Sequence, residues 1–93
     1  MDYILLFNEL TKIIKVAGGE YCEANSLKDS ISGIGLDSLD TVMLCLYLSD
    51  IYGMDDEITK SMPTGTIQEL FQFIQQHKTT EPISVEAAIG AVQ

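Results

Sequence analysis

The chain has 93 residues, 46% of them apolar, and sets 14 acidic side chains against five basic ones, all lysine, for a net charge of −9. That length allows one domain with a modest core, and the apolar share excludes compositional disorder. The charge, with a pI near 4.1, excludes nucleic acid and anionic membrane as partners, since both need a positive footprint, and favours a basic surface on another protein.

The first residues, Met1-Asp2-Tyr3-Ile4, lack a positive n-region and a small-residue cleavage site, so no secretory leader is expected. Tyr3, Phe7, Leu10 and Ile14 recur at spacings of four, three and four, which predicts a first helix over residues 3–16. Asp2 is its expected N-cap, Lys12 and Lys15 suit the negative end of its dipole, and Gly18-Gly19 stops it. Residues 20–37 hold Leu27, Ile31, Ile34 and Leu36 among turn-forming residues with no sustained period, which reads as a long ordered loop pinned by those four side chains. A loop of that length in a small domain is usually functional.

A second helix is expected over 38–52, capped by Asp37 and closed by Gly53. Leu44, Cys45, Leu48, Ile51 and Tyr52 gather on one side of it, and Leu39, Val42, Met43 and Leu46 on another. The second group is either an interaction patch or is covered by the third helix, the first loop or the tail. Asp55-Asp56-Glu57 then opens a third helix of barely two turns, with Ile58 and Met62 on one face and Pro63 ending it. Thr66 and Glu69 form a T-x-x-E capping box for a fourth helix, in which Ile67, Leu70, Phe71 and Ile74 follow the i, i+3, i+4, i+7 template. Residues 1–78 form the expected domain and 79–93 a linker and tail. In that tail Val85, Ala88, Ile89 and Val92 match the helical template after a Ser84 cap, allowing a short fifth helix that Gly90 weakens. The expected fold is all-α: a small bundle of three longer helices and one short one.

Cys22 and Cys45 lie 23 positions apart in a chain with one histidine, so neither a disulfide framework nor a zinc site is suggested. The longest apolar run, Val42–Leu48, has seven residues, against roughly 20 for a bilayer span. A cytoplasmic monomer with free thiols is the expectation.

Ser38 is the candidate functional residue. A serine at a helix start is ordinarily a cap, but Asp37 can cap here, which moves Ser38 to the first helical position with its hydroxyl facing solvent. A phosphodiester there would sit beside unpaired N–H groups at the positive end of the helix dipole. A hydrolytic role is excluded on two counts: Leu36 and Asp40 replace the glycines of a nucleophile elbow, and His77 lies at the far end of the fourth helix. A calcium loop over Asp29–Asp40 fails as well, because Ile31 and Gly33 stand where oxygen ligands are needed and Asp40 replaces the bidentate Glu.

Gly35-Leu36-Asp37-Ser38-Leu39-Asp40, with Asp29 and Ile31 upstream, resembles the phosphopantetheine attachment motif of the acyl carrier protein family, and the similarity in helix order and first loop extends over residues 3–76. The resemblance implies a 4'-phosphopantetheine arm on Ser38, placed there from coenzyme A by a phosphopantetheinyl transferase whose magnesium Asp37 helps position. It implies a carrier rather than an enzyme, holding acyl chains as thioesters for acyltransferases, ketosynthases or similar enzymes of fatty acid or polyketide biosynthesis. It also implies an acyl cavity, for which Val42, Leu46, Ile58, Met62 and Ile67 are the candidates, although the same residues serve equally as plain core. Leu39, Asp40 and Met43 join Val42 and Leu46 as candidate partner contacts. Where family members serving fatty acid synthesis carry docking acids on the second helix, this chain has Met43, Ser49 and Ile51, which points to a specialised pathway. A peptidyl or aminoacyl carrier, or an interaction module with Ser38 unmodified, are the competing readings.

Overall fold

The computed structural model describes residues 2–16 and 19–92. Among the described residues six helices follow one another: α1 (Tyr3–Ile14), α2 (Ile31–Ile34), α3 (Ser38–Tyr52), α4 (Asp56–Lys60), α5 (Ile67–His77) and α6 (Val85–Val92). β-Pairing among the described residues is confined to an isolated bridge between Ser30 and Thr66. No helix among them is long and apolar enough to cross a membrane.

The caps explain most boundaries. Asp2 accepts from Leu5 N–H at 3.0 Å and starts α1. That helix ends at Ile14 rather than Val16, because Lys15 becomes its C-cap and Val16 projects into solvent. Of the expected Gly18-Gly19 stop, Gly18 lies outside the described residues. Thr66 and Glu69 close the capping box of α5 in both directions. The third helix is shorter than expected: Asp55 caps it, and Met62 and Pro63 fall beyond Lys60.

The core is built from Leu6, Phe7 and Leu10 of α1, Leu44 and Leu48 of α3, and Ile67, Leu70 and Ile74 of α5, all fully buried. Tyr3 stacks on Phe71 with ring centroids 4.7 Å apart, joining α1 to α5. The hydroxyls of Ser49 and Thr59 hydrogen-bond and tie α3 to α4.

One segment differs from the sequence expectation, and in another the short C-terminal helix that the sequence allowed is formed. Residues 20–37 contain the one-turn helix α2, capped by Ser30 and terminated by Gly35 at φ 115°. Ile31, Ile34 and Leu36 are buried as pins of this segment, but Leu27 is exposed. The tail is helical and packed. Ser84 Oγ caps α6 by accepting from Ala87 N–H at 3.0 Å, Ala88 is buried, and Val85, Ile89 and Val92 pack on the core against α1 and α3. The linker is fastened to the end of α3: Thr79 and Thr80 N–H both donate to Tyr52 O, at 3.0 and 3.3 Å. Gly53, in left-handed backbone, lies so close to Thr79 that a Cβ would strike its hydroxyl. A radius of gyration of 12.0 Å matches the roughly 12.3 Å expected of a single compact unit of this length, tail included.

Candidate functional site

The segment leading to Ser38 is held from two sides. Asn8 of α1 bonds both ways with the backbone of Ala24, accepting from its N–H at 2.8 Å and donating to its carbonyl at 3.0 Å. From α5 and the turn before it, Ile67 N–H donates to Asp29 O, Gln68 N–H to Leu27 O, and Gly65 O accepts from Ile31 N–H. Asp29 closes a turn by accepting from Asn25 and Ser26 N–H. Gly35 sits against the backbone of Glu20 and Tyr21: a Cβ there would lie 2.7 Å from Glu20 O. The glycine of the G-x-D-S-L sequence is therefore required by a turn and a close approach, independently of any chemistry at the serine.

Asp37 is the N-cap of α3. Its Oδ1 accepts from Asp40 N–H at 2.8 Å, and Asp40 Oδ2 accepts in return from Asp37 N–H at 3.2 Å, a capping box made by two aspartates. Thr41 adds its N–H and its hydroxyl to Asp37 O. These bonds leave Ser38 Oγ out of the capping, on an exposed residue at the first helical position. The N–H groups of Ser38 and Leu39 remain over in the first turn, where the helix favours an anion.

Asp40 has a second partner. Lys15 Nζ lies 2.6 Å from its Oδ2. That ammonium holds the Asp40 carboxyl below the ordinary aspartate range, with the Asp37 N–H adding to the effect and partial desolvation opposing it.

Beside Ser38 opens a groove of about 810 Å³ between α3 and α4. Leu36, Val42, Cys45, Leu46 and Met62 supply its apolar lining, and Thr41, Thr59 and Lys60 polar parts of its wall. Burial pushes the Cys45 thiol up. Both cysteines are free, Cys22 exposed and Cys45 buried. An extended arm attached at Ser38 would have an anion-favouring anchor at one end and an apolar trough beside it, so the residues present would fit a phosphopantetheine group.

Of the expected cavity residues, Val42, Leu46 and Met62 line this groove. Ile67 does not, because it is fully buried in the core, and Ile58 turns to pack on that core instead. Leu39, Val42 and Leu46 are 69%, 54% and 50% exposed, so neither α4, the first loop nor the tail covers them, while Met43 is half-buried. Ser49 and Ile51, two of the three positions where docking acids were expected, are buried and could not display them. Sequence reasoning missed Thr41 and Cys45, placing Cys45 with the core side. They stand at i+3 and i+7 from Ser38, with Val42 at i+4, so helical spacing counted from the serine would have found them. No group of three or more His, Cys, Asp or Glu side chains disposed to hold a metal ion occurs among the described residues.

Compared with protein families, curated proteins and solved structures, the chain matches none.

Proposed function

We propose that this chain is an acyl carrier protein with a 4'-phosphopantetheine arm on Ser38, serving a specialised fatty acid or polyketide-type pathway. The observation that carries the reading is the Asp37–Asp40 capping box, which relieves Ser38 of the usual duty of a serine at a helix start and leaves its hydroxyl exposed beside an apolar groove. Ser38 Oγ forms the new P–O bond as the bond between the arm's phosphate and the nucleotide part of coenzyme A breaks, and its proton leaves to a base of the phosphopantetheinyl transferase. Asp37 uses Oδ1 for capping and offers Oδ2 to the transferase's magnesium. The arm, once bound, supplies a thiol that holds the acyl chain as a thioester. Val42, Leu46 and Met62 then provide apolar surface within reach of the cargo.

A second reading has its own support: Leu39, Val42 and Leu46 form an exposed apolar stripe that would suit an interaction module with Ser38 unmodified. One experiment decides. After coexpression with a broad-specificity transferase, intact-mass measurement should show one added arm on the wild type and none on Ser38→Ala. A wild type that gains no mass while a control carrier does would refute the carrier reading.

A further inference from the structure

α3 carries two charged side chains, Asp40 and Asp50, about 15 Å apart along the helix axis. Of these two, Asp40 is the one near Ser38, two residues further on, and it is the one that is tied down. Lys15 reaches it from the C-cap of α1, where the helix dipole already favours a cation, and the two side chains are only 11% and 14% exposed. The other ion pairs among the described residues each join side chains three positions apart. Among the described residues the Lys15–Asp40 pair alone links two helices. On the same two turns, Leu39, Val42 and Leu46 stand open to solvent.

We propose that Lys15 sets partner specificity: by masking Asp40 it leaves the start of α3 to be engaged through Leu39, Val42 and Leu46 by an apolar partner surface instead of a basic one. The acidic remainder of the chain, exposed Asp37 included, still steers encounter, but the contact along α3 beyond Ser38 is made through Leu39, Val42 and Leu46 without help from Asp40. The inference rests on the carrier reading only for one of its probes, the transferase.

Loading of Ser38 by purified transferase is followed by mass as salt is raised from about 20 to about 300 mM. Lys15→Met, which frees Asp40, should lose at least about threefold more rate over that range than the wild type, since an unmasked charge adds a screened attraction. Lys15→Met/Asp40→Asn, with the net charge of the wild type, should return to the shallow dependence. Lys28→Met, as acidic overall as Lys15→Met but with the pair intact, should follow the wild type. Equal salt dependence in Lys15→Met and Lys28→Met overturns the proposal. A second arm is independent of the arm chemistry: pentalysine peptide titrated into each protein should shift the Asp40 side-chain carboxyl carbon resonance in Lys15→Met and not in the wild type. An equal shift in both overturns the masking whatever happens at Ser38. Absence of mass gain counts against the carrier reading, and the peptide titration then decides this one. Lys15→Gln repeats both arms should Lys15→Met disturb the fold.

Discussion

Replacing Gly35 by alanine tests whether the turn before Ser38 is built as described. At φ 115° an L-residue is strained, at a cost of about 1–3 kcal/mol. Its Cβ would also lie 2.7 Å from Glu20 O and 3.0 Å from Tyr21 Cα. Both are backbone atoms, and the strand of chain that carries them is fixed by Cys22 N–H donating to Ile34 O at 2.8 Å, so relief requires a main-chain shift worth about 1–3 kcal/mol by analogy with overpacking. Loss of glycine's freedom in the unfolded chain returns about 0.4–1 kcal/mol. The net expectation is about 3 kcal/mol of destabilisation, a large share of the roughly 5–14 kcal/mol available to a domain of this length. In urea, with a slope of about 1–1.5 kcal/mol per molar for so small a protein, the midpoint should fall by about 2–3 M at unchanged slope. A loss below about 0.5 kcal/mol would refute the turn geometry and with it the structural account of the motif glycine.

Two further outcomes follow from the packing. Ala88→Asp places a carboxylate on the buried face of α6 and should lower stability by about 2 kcal/mol. The associated signs are loss of one short helix by circular dichroism and rapid proteolysis after Lys78; an unchanged melting curve would mean that α6 does not cover the core. The Tyr52 hydroxyl is buried with no hydrogen-bond partner among the described residues, and burial, with Tyr3 and Glu81 nearby, pushes its pKa up to about 12. The unfolded chain ionises this phenol first, from its ordinary value of 10.0. The stabilisation is therefore complete below pH 10 and is lost as pH rises through 12. Alkaline denaturation of Tyr52→Phe should lose this part of its pH dependence, and identical curves for the two proteins would refute the assignment.

How much of this was legible from residues alone varied with the kind of signal. α1 and α5 carry wide apolar stripes with side-chain caps, and both were read to within two residues. α3 was placed correctly, and its two apolar groups were separated because each recurs at helical spacing, but whether the second was open or covered was not readable; Leu39, Val42 and Leu46 are open and Met43 half-buried. α2 is one turn long, too short for any period, and only the pair of Ser30 and Gly35 marks its ends. For Ile58 and Ile67 the sequence left cavity and core equally open, because which way each faces depends on how α4 and α5 pack in the fold, which no local pattern reports; both lie with the core. The Lys15–Asp40 pair joins residues 25 positions apart, and in the sequence Lys15 is indistinguishable from a helix-end lysine facing solvent.

The stitching of residues 24–31 to α1 and α5 has a kinetic meaning. Ordering a free segment costs about 1–2 kcal/mol per residue in backbone entropy, a cost that association would otherwise bear. Here Asn8, Gly65, Ile67 and Gln68 have already fixed that segment in the free protein. The backbone leading to Ser38 is therefore ordered before any partner arrives. Productive encounter is then limited by the angle of approach and not by waiting for a loop to settle. For a carrier of the kind proposed, visiting one enzyme after another, the saving would recur at every visit.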